Sequence, residues 1–247
     1  MSRWKAAGRH LLISVALMSI VGALLLSVWY PPPYFHAAGA DKLMLLLVGV
    51  NLAIGPLLTL IVFRAGKRGL GFDLIAIALL QIAALAYGFS VMTQSRPVFL
   101  VGAVDRFILV SANEVNDEDL AAGSTEEFRS RSWTGPRLVA AELPVDAKER
   151  SDLIDLALAG RDIQNQPKYY HPYVSSGRNL LARAKTLAQL RQKTATDQDI
   201  VDAWLRRTGR DEASIVWLPL QARKDDLVML LDAQSAEPLQ ALAIDPW

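Results

Sequence analysis

Few residues in this chain are of the types that do chemistry in clusters. Its three histidines stand at positions 10, 36 and 171, and on the organisation derived below they fall at a membrane boundary, in a short loop and in a separate domain. They are not expected to share a metal. Cysteine is absent, which removes disulfides, thiolate zinc sites, iron–sulfur clusters and cysteine nucleophiles together. His171 lies between Tyr170 and Pro172 with no serine or aspartate beside it, so it reads as a surface histidine rather than a general base. Two acidic groups remain. Asp117-Glu118-Asp119 follows Asn116 in the manner of a helix N-terminus, where carboxylates suit the macrodipole, and Asp225-Asp226 has the composition of a hairpin end. No phosphate-binding loop, nucleophile elbow, HExxH or dinucleotide fingerprint occurs. The expectation is a protein that is not an enzyme and carries no cofactor.

The polar residues that stand out do so because of where they are. The apolar stretch VGVNLAIGPLLTLIVF holds Asn51, Gly55 and Pro56. Asn51 and Gly55, four apart, share a helix face on which glycine admits another backbone and asparagine can bond across, for about 1–2 kcal/mol at best. Pro56 lacks an N–H and should free a carbonyl one turn back, around Leu52. A second such set, Gln81 with Ala84, Tyr87 and Gly88, lies in the next apolar stretch. Either set could serve packing within the chain or docking of a foreign transmembrane helix.

The elements that must position these residues are legible from hydropathy. Three apolar runs, 11–30, 43–63 and 74–92, are each long enough to cross roughly 30 Å of hydrocarbon as a helix. The mean hydropathy of +0.22 averages these runs with a polar remainder. Arg3, Lys5 and Arg9 precede the first run, and Arg64, Lys67 and Arg68 join the second to the third. Basic residues of short loops stay cytoplasmic, so the N-terminus is expected inside and everything after about residue 95 outside, in the periplasm of a Gram-negative cell. Trp29-Tyr30-Pro31-Pro32-Pro33 reads as an interfacial belt and a helix stop, which favours an uncleaved first helix over a signal peptide. Asp73 is expected at the interface, near Lys67 and Arg68.

Residues 1–94 carry a net charge of +5 and residues 95–247 a net charge of −4. The basic residues of the second part are dispersed, which argues against a nucleic-acid partner. That part reads as one α+β domain with a mostly antiparallel sheet. Strands are expected around Asp105-Arg106 within 97–112, and at 137–142, 214–221, 226–232 and 238–244. Helices are expected at 146–159, at 178–193, and from an N-cap at Thr196 to Gly209, with 161–177 as a loop. The division is therefore 1–94, a three-helix transmembrane region, and 95–247, a periplasmic domain.

Residues 1 to about 112 resemble the type IV pilin accessory proteins of the TfpX/TfpZ kind. The resemblance rests on Trp29-Tyr30-Pro31, Gly55-Pro56-Leu57-Leu58-Thr59, Lys67, Phe72-Asp73-Leu74, Gln81, Leu85, Tyr87-Gly88, Arg96-Pro97-Val98 and Asp105-Arg106-Phe107. It implies an inner-membrane, chaperone-like protein that associates with the major pilin and assists its stability or its assembly into pili, without enzymatic activity. A pilin-helix contact through Asn51, Gly55, Pro56, Gln81, Ala84 and Gly88 follows as an expectation, with association as a homo-oligomer or a component of the pilus machine left open. The alternative reading is a periplasmic ligand sensor or membrane-complex subunit signalling through a partner, since about ten N-terminal residues and the 64–73 loop offer no output module.

Overall fold

The computed structural model describes residues 2–193 and 197–247. Three helices are long and apolar enough to cross a membrane: α1 (Arg3–Trp29), α2 (Ala40–Val62) and α3 (Leu70–Ser95). Each is longer than the apolar run that announces it. At 1.5 Å per residue the 27-residue α1 is about 40 Å long, so its first turns, with Arg3, Lys5 and Arg9, project beyond a hydrocarbon core. Ser2 caps α1 by accepting from the Lys5 N–H, and Gly39 and Gly69, both at positive φ, open α2 and α3. The helices alternate in direction. The start of α1 therefore meets the end of α2, and Arg64, Lys67 and Arg68 lie at the same end of the bundle as Arg3, Lys5 and Arg9. Lys67 pairs with Asp73 at 2.5 Å, as its interfacial placement requires. Helix α1 packs chiefly on Gly55–Val62 of α2, and α3 chiefly on Ala40–Gly49.

Helix α3 runs almost directly into the domain. Strands β1 (Pro97–Ala103) and β2 (Arg106–Ser111) form a hairpin around Asp105. They are joined by β3 (Arg137–Ala141), β4 (Tyr170–Pro172), β5 (Lys185–Thr186), β6 (Ile215–Gln221), β7 (Leu227–Asp232) and β8 (Pro238–Leu242). The sheet order is β4-β3-β1-β2-β6-β7-β8, with β5 also on β6. Only β1–β3 and β2–β6 are parallel; the remaining pairs are antiparallel, so the sheet is mostly antiparallel as expected.

Two local expectations are corrected. The helix expected at 178–193 is broken into a 3₁₀ segment, Gly177–Arg183, the strand β5 and a short helix, Leu187–Lys193. The break comes from tertiary pairing: Lys185 and Thr186 align with Trp217 and Val216 of β6, and the Trp217 indole N–H donates to the Thr186 carbonyl at 3.0 Å. The stretch 161–177, expected as loop, contributes β4 at the sheet edge. Of the other helices, Ala147–Leu158 forms with Asp146 as its cap, and Asn116 caps Asp117–Ala121 by accepting from the Asp119 N–H. The helix Gln198–Thr208 ends at Gly209, which has a φ of 64°. The N-cap expected at Thr196 lies outside the described residues.

Hydrophobic packing is continuous from bundle to domain. Leu25, Trp29, Tyr30, Ala37 and Met92 belong to one buried cluster with Leu218, Leu220, Leu227 and Met229 of β6 and β7. Polar contacts reinforce it: the Tyr30 hydroxyl donates to the Met92 carbonyl at 2.8 Å, and the Lys224 N–H donates to the Ala37 carbonyl at 2.9 Å. The Lys224 ammonium reaches Asp41 at 2.9 Å. Two further clusters lie wholly in the domain, one around Phe99, Phe128 and Tyr170 and one around Leu190, Trp204 and Trp217.

Tyr30 allows the two kinds of contact to be separated. Tyr30→Phe should lower unfolding stability by about 0.5–1.5 kcal/mol, the worth of one hydrogen bond, whereas Tyr30→Ala should cost about 3–5 kcal/mol through the cavity it leaves. Denaturant unfolding of the detergent-solubilised protein measures both, and equal losses would show that the aromatic ring contributes nothing to the joint.

Candidate functional site

The helix α2 is not uniform. Its turn Val50–Ile54 is π-helical, immediately before Gly55 and Pro56. In an i→i+5 register the carbonyl left without a donor by Pro56 is five residues back, at Asn51, rather than at Leu52 as an α register implies. Its partner comes from another helix. The Gln81 side-chain N–H donates to the Asn51 carbonyl at 3.1 Å.

Gly55 is what lets Gln81 arrive there. A Cβ built on Gly55 would lie 1.9 Å from Gln81 Nε2 and 2.3 Å from its Cδ, so the amide of Gln81 lies across the glycine. Gly88 plays the same part for Leu47, whose Cδ1 would be 2.5 Å from a Cβ at 88. Asn51, only 4% exposed, turns its carboxamide N–H back to the Leu47 carbonyl at 2.8 Å. The bond that crosses between helices thus uses the backbone of Asn51 and not its side chain.

The other side of Gln81 holds a residue that hydropathy places at the edge of the membrane. His10 Nε2 lies 2.5 Å from Gln81 Oε1, and His10 Nδ1 lies 2.6 Å from Thr59 Oγ1. Since Gln81 Oε1 only accepts, Nε2 carries the proton; in the neutral ring Nδ1 then accepts from the Thr59 hydroxyl. The result is a chain of donors, Thr59 to His10 to Gln81 to the Asn51 carbonyl, that ties α1, α2 and α3 together. The signal for His10 is present in the sequence, because it lies on the same stripe of α1 as the buried Ala7, Ser14, Met18 and Leu25. It is hidden by standing one residue before the apolar run.

Two grooves flank this chain of bonds. Between α1 and α3 runs a cleft of about 290 Å³ that includes His10, Ser14, Asn51 and Gln81 in its lining. Between α2 and α3 runs a more apolar one of about 310 Å³ that includes Leu43, Leu46, Asn51, Ala84, Tyr87 and Gly88. Of the six residues expected to contact a foreign helix, Asn51, Gly55, Pro56 and Gln81 are engaged in the internal network and Gly88 receives Leu47; Asn51, Ala84 and Gly88 also line the second groove.

The remaining histidines are apart. His36 faces Asp41 at 3.6 Å and His171 is exposed on β4. Among the described residues no group of three potential ligands converges on a metal position. Burial pushes the phenols of Tyr170 and Tyr173 up; both stay protonated and donate, to the carbonyls of Gln164 and Ala236, as structural groups.

Gln81→Ala should destabilise the bundle by about 1–2 kcal/mol, and it should cost less in a Pro56→Ala background, where residue 56 regains an N–H for the Asn51 carbonyl. His10→Ala and Gln81→Ala should be coupled by about 0.6–1.7 kcal/mol in a double-mutant cycle. Additive losses in unfolding experiments would break the proposed chain of bonds.

Residues 1–39 match the family model described as "Fimbrial assembly protein FimB". Across 247 residues the chain is 30% identical to the fimbrial assembly protein of serogroup I from Dichelobacter nodosus, covering 98% of this chain and 95% of that one. It is 29% identical to the serogroup E1 protein of the same organism over a similar span. With the protein of serogroups C1 and C2 it shares 32% identity over 118 residues, 47% of this chain and 90% of the relative. No solved structure matches the chain. By this near full-length relationship the chain belongs to the fimbrial assembly protein family.

Proposed function

We propose that this protein is an inner-membrane assembly factor that binds the type IV major pilin and assists its stability or its incorporation into the pilus, without enzymatic activity. The observation that carries the reading is the groove between α2 and α3. It is apolar and open, and its lining includes the small residues Ala84 and Gly88. A transmembrane helix packs best where small residues admit its backbone, and this groove supplies them next to Leu43, Leu46 and Tyr87. The membership in a fimbrial assembly family supports the pilus as the destination. The six basic residues at one end of the bundle support a cytoplasmic N-terminus and a periplasmic domain, which would place the domain beside the pilin head while the groove holds its stem.

In this arrangement Gly55 and Gln81 act by building the bundle, so a bulky substitution at 55 reports on packing as well as on docking. Ala84 is the cleaner probe. A photo-crosslinking amino acid at position 84 should trap the major pilin in living cells. The same group at Leu79, on a face of α3 that lines neither groove, should trap much less. An absence of pilin adducts from 84, or equal yields from both positions, would count against the groove, and normal surface piliation after deletion of the gene would count against the assembly role altogether.

A further inference from the structure

Where α3 leaves the membrane, its next residue is a buried arginine without an acidic partner. Arg96 is 4% exposed. Its Nε donates to the Ser132 carbonyl at 3.2 Å and its Nη1 to the Thr93 carbonyl at 2.5 Å, while Nη2 has no acceptor among the described residues. The guanidinium lies 4.1 Å from the ring centroid of Trp133 and 5.6 Å from that of Trp29. Among the described residues no carboxylate forms an ion pair with it. Burial, together with the repulsion of another cation, Arg131, pulls the pKa of Arg96 below its ordinary value. Arg131 does have an acid, Asp117 at 2.7 Å, so the unmatched charge belongs to Arg96.

Both arginines line a cavity of about 590 Å³ whose other walls include Thr93 and Gln94 of the last turn of α3, Ser130, Trp133 and Asp117, whose carboxylate is already held by Arg131. That volume falls within the range of small-molecule sites. Its position is informative: the end of a membrane helix lies at headgroup depth. Tryptophans mark the same level, and Trp133 is 61% exposed there beside Trp29. A buried guanidinium is costly unless an anion is brought to it, and the planar fork of arginine suits phosphate oxygens.

We propose that this cavity binds the phosphate of an anionic phospholipid headgroup, with Arg96 as the principal contact, Trp133 at the rim and the Arg131–Asp117 pair beside it. The site would fix how deep the domain sits on its leaflet, because Arg96 also bonds the end of α3 to the Ser132 backbone. Anionic lipid is preferred to zwitterionic lipid because the latter brings its own ammonium toward the unmatched charge of Arg96. The proposal does not depend on pilin binding, and its test needs no pilin.

The experiment uses the full-length protein in detergent and follows its thermal midpoint. Added phosphatidylglycerol should raise the midpoint by about 3 °C or more, whereas phosphatidylcholine and inorganic phosphate at equal concentration should not. Arg96→Gln should abolish the rise. Because that variant also loses structural hydrogen bonds, Ser130→Asp serves beside it: the exposed position leaves Arg96 in place and adds to the cavity a carboxylate that Arg131 does not already hold. Ser130→Asp should keep its circular dichroism and elution volume, be more stable than wild type without lipid, and lose the response to phosphatidylglycerol. Equal stabilisation by phosphatidylcholine, full stabilisation by inorganic phosphate alone, or an undiminished response in well-folded Ser130→Asp would each overturn the assignment.

Discussion

Inside hydrocarbon every backbone carbonyl needs a donor from the protein, and in α2 one of them cannot find it along its own helix. Pro56 has no N–H, and the π turn before it moves the deficit to Asn51. Gln81 supplies the missing donor from α3, Gly55 makes room for it, and His10 and Thr59 occupy its other face. One defect in the backbone therefore explains why polar residues from all three helices meet at one point. Helices in lipid gain nothing from burying apolar surface against each other, so a fixed bond of this kind sets their mutual rotation.

That rotation determines which surfaces are left open. With Gln81 and Gly55 consumed internally and Gly88 seating Leu47, Ala84 remains along the groove with the first half of α2, and Ser14 remains beside the cleft between α1 and α3. At the opposite end the bundle is joined to the domain by packing and by backbone bonds around Tyr30, Ala37 and Arg96. Because α3 passes into β1 with only Arg96 between them, a partner that tilts α3 would pull on an interior strand of the sheet, between β3 and β2. A membrane-embedded surface and the sheet of the domain are thus mechanically connected.

The membrane helices, their common basic end and most strands were legible because each rests on a local signal: length of apolar run, charge beside it, or alternation of β-branched residues. Asn51, Gly55 and Gln81 were also legible as exceptional, since a polar or small residue in hydrocarbon demands a partner. Which partner was not. Asn51 bonds its own helix through its side chain, and His10 was concealed by its position at the boundary of the run. The helix expected at 178–193 failed for a similar reason, because nothing local announces that Lys185 and Thr186 will be drawn into the sheet by β6.

The sequence by itself determined a membrane protein of three apolar helices followed by an α+β domain, and it singled out the residues that hydrocarbon makes expensive. Those properties follow from composition and period along the chain, which are fixed before any long-range contact forms. Only the tertiary structure decided that Gln81 caps the Asn51 carbonyl, that Gly55 faces inward while Ala84 faces the groove, and that Arg96 is buried beside Trp133 without an acid. Each depends on the rotation of one element against another, and a hydrogen bond is made or lost over less than an ångström, a distance that no pattern along a single strand of sequence can express.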